Sequence, residues 1–270
     1  MAKKPTTQVA TRATTEVATA AAPIDFSKYA GLGMENATQE SFAIPFLGVL
    51  QKISPQCEET DAAYIPGAKA GQMFESVSKV LFDGKKGVEF VQCHYRRTFL
   101  RWAPRGTEGG GFKGEIAPEV VSAMREDGRL VEFENKLWFP LEDGTVNPKR
   151  CDFAADTRNH YLILLTEDGP RECLLSLAST QIKKSKALMT ALNQQMEGSI
   201  KLPTFATIVR ATTALESNDK GQWHGINFNL EGRLTDPKVM EMAVNFYKAI
   251  SAGTVKASYD TDVHSGDDKF

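Results

Sequence analysis

The sequence predicts an α+β protein that is mainly antiparallel β, either a curved sheet or a small barrel with added helices. Two observations point to this class. Segments that alternate apolar and polar residues recur along the chain, and turn-forming residues join them in pairs, as in successive hairpins. No alternation of strand and helix with a phosphate-binding loop occurs, which disfavours a doubly wound nucleotide-binding fold.

The composition predicts a soluble intracellular protein whose charge is nearly balanced. The 270 residues include 32 basic and 34 acidic ones, so a surface that binds a polyanion has to be local. The four cysteines lack CxxC spacing, which predicts free thiols in a reducing compartment. No apolar run reaches the roughly 18 residues of a membrane span, and the N-terminus lacks the apolar segment of a signal peptide.

Composition also divides the chain into three parts. Residues 1–24 are rich in Thr and Ala and predict a disordered arm. Residues 25–255 hold the patterned segments and predict a single β-rich domain. Residues 256–270 are acidic, have few apolar residues and predict a flexible tail.

The first part of the domain predicts one helix and a hairpin. Apolar residues at helical spacing predict a helix over residues 40–53, with Pro45 in its first turn. Residues 66–71 predict a loop. Residues 72–82 predict a strand, and Asp83-Gly84 predicts the turn that pairs it with the next strand in a hairpin.

The stretch from Lys85 to Lys113 begins with the longest predicted strand, and Gly109-Gly110-Gly111 predicts a flexible loop behind it. Strict alternation assigns the apolar and aromatic side chains of this strand to two faces. The first face carries Val91, Cys93, Tyr95 and Phe99. The second face carries Val88, Phe90, His94, Leu100 and Trp102.

The rest of the domain predicts three hairpins and three helices. The hairpin strands are predicted over residues 129–134 and 136–141, 159–166 and 171–177, and 205–215 and 222–230, with an irregular segment over residues 143–157. The helices are predicted from Pro118 to about Glu126, from a cap at Ser179 or Thr180 to Gly198, and from a cap at Asp236 with Pro237 to about Gly253. The apolar residues that share one face of the second helix are Ile182, Met189, Leu192 and Met196. The residues of the third helix predicted to face inward are Val239, Met240, Ala243, Tyr247 and Ile250. A barrel of the oligonucleotide/oligosaccharide-binding type (OB-fold) belongs to this class.

Arginines interleaved with aromatic residues in the long strand predict binding of single-stranded nucleic acid. Basic side chains neutralise phosphates while exposed rings stack on bases. The predicted phosphate-binding residues are Arg96, Arg97, Arg101, Arg105 and Lys113, with a second patch at Lys183, Lys184 and Lys186. Arg97 and Arg101 share a face with Tyr95 and Phe99, whereas Arg96 takes the opposite face. Either face of the strand could be the one in contact with water.

The predicted stacking rings are Tyr95, Phe99, Trp102 and Phe112, and further candidates are Trp138, Tyr161 and Trp223. Base–aromatic stacking contributes about 1–3 kcal/mol per base, so two or three exposed rings would dominate short-range affinity. Each ring can instead lie in the core. For Trp138 and Tyr161 burial is the stronger interpretation.

No motif of an enzyme or a cofactor site is present, and we expect a protein without catalysis and without cofactor. The chain lacks the GxxxxGK[ST], GxGxxG and GxSxG motifs and any histidine pair at metal-binding spacing. Cys93 and His94 are adjacent in a strand, so they point to opposite faces and cannot share a metal. The aspartates Asp143, Asp152, Asp156 and Asp168 lie isolated near loops and turns, where Asp is ordinary.

The C-terminal sequence SYDTDVHSGDDKF is an acidic segment with a single terminal aromatic residue, and Lys269 interrupts the acids. It resembles the partner-recruiting tip of single-stranded DNA-binding proteins from bacteria and some phages. The resemblance implies that Asp262, Asp267, Asp268 and Phe270 bind replication or recombination proteins. A ring that fills an apolar pocket while acids meet basic residues around it is physically consistent with that role.

Five segments, IPFLGVLQKISP, PGAKAGQMF, the Tyr95 to Arg105 strand with its W-x-P-R, the GGGF loop and ESNDKGQW, make the chain similar to a group of phage proteins. The resemblance implies an accessory protein of phage replication or recombination that coats single-stranded DNA in the host cytoplasm, away from membranes. Two alternatives stay open. One is a virion or structural interaction protein whose strand face is a subunit interface in a homo-oligomer. The other is a metal-dependent nuclease.

Overall fold

The computed structural model of the protein describes residues 32–37, 42–104, 110–219, 221–255, 257 and 259. The chain divides into two units, residues 1–37 and 38–270, and the helices and strands given below belong to the second. The predicted arm of residues 1–24 lies outside the described residues. So do Arg105 and the predicted partner-binding residues Asp262, Asp267, Asp268 and Phe270.

The described residues of the second unit form thirteen strands and three α-helices. The strands are β1 (Leu47–Val49), β2 (Met73–Glu75), β3 (Leu81–Phe82), β4 (Val88–Ala103), β5 (Gly111–Ile116), β6 (Val131–Phe133), β7 (Lys136–Trp138), β8 (Phe153–Thr166), β9 (Gly169–Ala178), β10 (Met196–Glu197), β11 (Ile200–Lys201), β12 (Thr207–Asn218) and β13 (Gly221–Arg233). The helices are α1 (Pro118–Glu126), α2 (Ile182–Asn193) and α3 (Pro237–Ser251). None of the three is long and apolar enough to cross a membrane.

Strands β4 and β8 pair along almost their whole length and form the centre of an eight-stranded antiparallel sheet. The outer edge of β4 pairs with β12 at its start and with β5 at its end. The outer edge of β8 pairs with β7 at its start and with β9 over the rest. The predicted class, a curved antiparallel sheet with added helices, is confirmed, and the strands of the described residues do not close into a barrel.

A β-bulge at Cys93 reverses the alternation of β4. The register with β8 shifts between Gln92 and His94, so Cys93 is an extra residue on its strand. The predicted faces are therefore wrong across this point. Val91, Cys93, His94, Leu100 and Trp102 lie on one face, and Val88, Phe90, Tyr95 and Phe99 lie on the other.

Helices cover both faces of the sheet but leave a gap. We call the first face the α3 face, because Val239, Ala243, Phe246 and Ile250 of α3 pack there. On the opposite face, the α2 face, α2 and the small sheet of β1, β2 and β3 cover one end, and α1 covers the other. Between the covered ends, residues 94–97 of β4 are half-buried or exposed while their neighbours on both sides are buried. We call residues 94–97 the waist.

The helix predicted over residues 40–53 is wrong for the described part of that segment. Residues 47–49 form β1, which pairs with β2, and Phe46 forms a bridge to Leu174 of β9. Residues 46–48 are all buried, so the segment has no polar face of the kind an amphipathic helix shows. A short, continuously apolar run cannot be assigned to helix or strand by periodicity alone, and Gly48 disfavours the helix.

The strand predicted over residues 72–82 is two strands, β2 and β3, that pair with each other through a turn in which Lys79 has a φ of 60°. The predicted hairpin with β4 is also wrong, because β3 belongs to the small sheet. Asp83-Gly84 does form a turn, as predicted. Asp83 Oδ1 accepts hydrogen bonds from the backbone N–H groups of Lys85 and Lys86, and the Gly84 carbonyl accepts one from the Thr213 N–H.

The other predicted hairpins are confirmed as β6–β7, β8–β9 and β12–β13, although β8 begins six residues earlier than predicted, inside the segment expected to be irregular. Helix α1 begins at Pro118, and Asp236 caps α3 by accepting hydrogen bonds from two backbone N–H groups. Helix α2 differs from the prediction. No side chain caps it, it ends at Asn193, and Met196 lies exposed in β10. In α3 Phe246 is buried, whereas Tyr247 is 44% exposed.

Tyr259, in the predicted flexible tail, is a core residue. It is 1% exposed, and its ring lies 5.5 Å from that of Phe46 and 5.3 Å from that of Phe112, centroid to centroid. Its hydroxyl accepts a hydrogen bond of 2.7 Å from Asn159 Nδ2, while Asn159 Oδ1 accepts one of 2.6 Å from Ser176 Oγ. The domain therefore extends at least to residue 259, beyond the predicted boundary at 255.

A second buried network ties α2 to the sheet. The His160 ring is fully buried, with Nδ1 at 2.7 Å from Gln92 Oε1 and Nε2 at 2.8 Å from Ser185 Oγ of α2. Burial, aided by the Arg158 charge, lowers the pKa of His160 to about 3. The imidazole is therefore neutral at physiological pH, and it contacts α2 through a hydrogen bond and not through an ion pair.

Candidate nucleic-acid interface

The three predicted arginines of β4 that the structure describes are ion-paired. Arg97 binds Asp156 through two hydrogen bonds, Nε–Oδ1 at 3.0 Å and Nη2–Oδ2 at 2.8 Å. Arg96 Nη2 lies 3.1 Å from Glu115 Oε2, and Arg101 Nε lies 2.7 Å from Asp152 Oδ2. Because each arginine has a carboxylate, these pairs bring little net positive charge to the surface. Each arginine side chain is about 40% exposed, so water also weakens the pairs.

Arg158, which was not among the predicted site residues, changes the balance of positive and negative charge at the waist. It lies directly opposite Arg97 on β8, donates to Asp156 Oδ2 at 2.9 Å and donates to the Tyr95 hydroxyl at 3.0 Å. We call Tyr95, Arg97, Asp156 and Arg158 the Arg97 cluster. It places two guanidinium groups against one carboxylate, and the buried Arg158 Nε has no hydrogen-bond partner among the described residues. The cluster therefore has a net positive charge and an unused donor.

Cations also lie over aromatic rings near these ion pairs. The Arg101 guanidinium carbon lies 4.0 Å from the ring centroid of Phe139, and Arg97 lies 5.0 Å from that of Phe99. Lys136 Nζ lies 5.4 Å from the ring of Phe153. Such contacts attract the cation to the face of the ring and so restrict the position of the long side chain.

The predicted stacking rings have different environments. Phe99 is 5% exposed and packs under α1, so its face is not open to a base, and Trp138 and Tyr161 are core residues as expected. Tyr95, Trp102 and Phe112 are half-buried, and Trp102 meets Phe112 at 5.5 Å. Trp223 lies elsewhere, on β13, and donates to Glu216 Oε2 at 3.2 Å.

A cleft of about 190 Å³ opens where the outer edge of β8 is unpaired. On this edge β8 pairs with β7 only up to Ala154, and its pairing with β9 begins at Thr157. Among the described strands, none therefore pairs with the outer edge of residues 155–156. The lining is mainly apolar and includes three rings and Ile182, the first residue of α2. The lining side chains include Phe99, Trp102, Lys136, Phe153 and Asp156. The lining thus contains Phe99 and Trp102, which the alternation assigns to opposite faces of β4, together with Lys136 and Phe153, which the sequence analysis missed.

The second predicted patch is split. Lys184 is half-buried and binds Glu216 and Asn227, which makes it a structural residue that joins α2 to the β12–β13 hairpin. Lys183 and Lys186 are exposed and form no ion pair within the parts of the chain that the structure describes. Lys183 follows Ile182, a residue of the cleft lining, directly in α2. Lys113 is exposed at a bulge in the pairing of β4 with β5.

No three His, Cys, Asp or Glu side chains among the described residues converge as metal ligands would. The fold and the site thus define an α+β protein with a long antiparallel sheet and a ring-lined cleft beside a cationic cluster. The family model described as Pam3 phage gp34-like protein matches residues 12–256, and the chain belongs to this family; it is a phage protein. No curated protein and no solved structure matches the chain.

Proposed function

We propose that this phage protein binds single-stranded DNA without catalysis, with a base in the cleft and phosphates along its basic border. The observation that carries the proposal is the position of the cleft. It opens beside Asp156, a member of the Arg97 cluster with its excess positive charge, and its walls hold the rings of Trp102 and Phe153. Rings for bases and cations for phosphates are the two components of a single-strand binder.

The shape of the cleft favours a single strand over a duplex. Its volume is about 190 Å³ and its lining is mainly apolar, which suits a single base whose faces are free. In a duplex the faces of the bases are stacked on one another, and a cleft of this size cannot reach them.

The charge of the site sets the strength of the salt dependence. The candidates for phosphate contact are Lys136, Lys183, Lys186 and the one excess charge of the Arg97 cluster. Single strands release about 0.7 counterion per neutralised phosphate, so about four contacts give a slope of log K against log salt between about −2 and −3.

The test is a fluorescence-anisotropy titration of labelled oligo-dT at low and moderate salt, with duplex DNA as control. Lys183→Glu should weaken binding several-fold and make the salt slope shallower by about 0.7. Its matched control is Lys238→Glu. Both lysines are exposed and each is the second residue of its helix, so the new acid in the first turn favours both helices equally. Lys238 is the control because α3 packs on the opposite face of the sheet from α2.

Phe153→Leu tests the ring. It keeps apolar volume in the cleft and removes the stacking surface, so the affinity for oligo-dT should fall about five- to tenfold. Phe133→Leu, on β6 outside the cleft, should leave the affinity unchanged. If the unaltered protein does not bind oligo-dT at low salt, the proposal is rejected. A large symmetric assembly in solution would then favour a structural role. Loss of the labelled oligonucleotide on addition of Mg²⁺ would instead indicate a nuclease.

The same proposal assigns the acidic tip to recruitment of replication or recombination proteins. Asp262, Asp267, Asp268 and Phe270 supply the charges and the ring that a basic-rimmed apolar pocket on such a partner would bind. Removal of residues 260–270 should abolish capture of the partner and leave oligo-dT binding intact. A truncated protein that still captures the partner would reject this part of the proposal.

A further inference from the structure

A second cavity, separate from the cleft, lies between β1, β9 and β13. Its volume is about 80 Å³, enough for several water molecules and so for a small ligand. Leu47, Phe74 and Leu177 are among its apolar walls, while Gln56, Gln181 and His224 are among its polar ones. We call it the Gln56 pocket.

Gln56 is the residue that indicates a ligand. It is 3% exposed, yet its side-chain amide forms no hydrogen bond with any residue in the described parts of the chain. An amide that bonds to no protein group needs its hydrogen-bond partners from within the cavity, either water or a ligand. Since Gln56 lines the cavity, its donor and its acceptor are available to a molecule inside it.

The other amides of the pocket are already used to fix its shape. Gln51 holds the backbone of His224 at both ends, with Oε1 accepting from the N–H at 2.8 Å and Nε2 donating to the carbonyl at 3.0 Å. Gln181 Oε1 accepts from the Ile226 N–H at 2.9 Å. The walls are therefore preformed, and Gln56 remains for recognition.

The lining selects an uncharged ligand. It contains no Asp, Glu, Lys or Arg, and the nearby Glu216 is paired with Lys184. An ion would lose its hydration without gaining a counter-charge. An amide offers a donor and an acceptor side by side, which matches the edge of a nucleobase, and Trp223 and His224 supply rings at the same cavity.

We propose that the Gln56 pocket binds a single nucleobase through the amide of Gln56. The base can belong to a free nucleoside or to a DNA strand. Ser176, Ala178 and Ser179 line both this pocket and the cleft, so one strand can reach both. The pocket does not depend on the proposed coating of DNA, because a free nucleoside has no phosphate.

The test is a calorimetric titration of the full chain with each of thymidine, deoxycytidine, deoxyadenosine and deoxyguanosine at two salt concentrations. At least one nucleoside should bind saturably and with little dependence on salt, because no phosphate is neutralised. Gln56→Leu should weaken that binding about tenfold or more through loss of the two hydrogen bonds. It should not lower the melting temperature, because the amide has no partner in the described chain. Gln194→Leu makes the same change at the exposed end of α2 and should have no effect.

Oligo-dT titrated against the same variants separates the two sources of the base. If Gln56→Leu weakens the binding of both the nucleoside and oligo-dT, the pocket binds a base of a DNA strand. If it weakens the binding of the nucleoside alone, the ligand is a free nucleoside. The proposal is overturned if no nucleoside binds, or if Gln56→Leu binds as tightly as the unaltered protein. Either result leaves the Lys183→Glu test of DNA coating unaffected, so the two failures can be told apart.

Discussion

Asn159 and His160 are neighbours on β8, and both are fully buried, but they hold opposite faces of the sheet by different chemistry. Asn159 holds Tyr259 on the α3 face through groups that stay uncharged, since burial keeps the pKa of Tyr259 far above its usual range. His160 holds α2 through an imidazole that can be protonated. The first attachment depends on the presence of Tyr259, and the second depends on pH.

The difference matters because the two candidate cavities lie close to α2. The cleft includes Ile182, and the Gln56 pocket includes Gln181 immediately before the helix. Acid should therefore loosen the binding side of the sheet, whereas truncation should loosen the opposite side. This contrast can be tested separately on each face.

The largest effect should come from Tyr259. Tyr259→Ala removes a buried ring that packs against Phe46 and Phe112 and leaves Asn159 without its acceptor. We expect a loss of about 3–5 kcal/mol in the free energy of unfolding, measured by urea denaturation. Deletion of residues 259–270 should cost a similar amount.

Deletion of residues 260–270 is the matched control, because it keeps the ring and removes the acidic tip. It should change the free energy of unfolding by less than about 0.5 kcal/mol. Equal destabilisation by the two deletions would show that the residues beyond Tyr259 also support the core, against the present assignment.

The next effect is the acid sensitivity of the α2 face. His160 has a pKa near 3 in the folded protein and about 6.5 when unfolded, so below pH 6.5 the unfolded chain binds the proton and the folded one does not. The contribution of His160 to the free energy of unfolding is fully present above pH 6.5 and is lost as the pH falls toward 3. By pH 5 the loss from this residue is about 2 kcal/mol.

His160→Gln should be less stable at pH 7 but should lack this part of the loss between pH 7 and pH 5 in urea titrations. His224→Gln makes the same chemical change outside the network and should keep the loss. Hydrogen exchange should show that amides of α2 open at pH 5 before those of α3. Opening of both helices together would contradict the contrast between the two faces.

Local chemistry made much of the fold predictable. A turn, a cap or a proline acts on its immediate neighbours, which is why Pro118, Asp236-Pro237 and the turn at Glu167–Gly169 located their elements. Helix and strand could not be separated for the short apolar run of β1, because burial on all sides removes periodicity. The Cys93 bulge carries no sequence signal at all, yet it decides which face receives Tyr95.

The site was predictable only in part, because its contacts span long distances in sequence. Arg97 and Asp156 are 59 residues apart, and nothing near Arg97 shows that its charge is balanced. The alternation in β4 identified Arg97 as a candidate, but Arg158 becomes visible only once the β4–β8 register is known. Gln56 has no sequence pattern, since its significance lies in burial without a partner.

The smallest effect concerns Ser179, in the turn that leads from β9 into α2 and lines both cavities. Its φ of 50° lies in the left-handed region, which costs a residue with a side chain about 1 kcal/mol and glycine much less. Ser179→Gly should therefore raise the free energy of unfolding by about 0.5–1 kcal/mol in urea titrations, even though glycine also makes the unfolded chain more flexible. Thr180→Gly, in the same short 3-10 helix but without a positive φ, should instead lower it by about as much. If both changes lower the free energy of unfolding, the left-handed conformation of Ser179 does not cost stability. The contacts of the Ser179 side chain, which lies between the two cavities, then stabilise the turn.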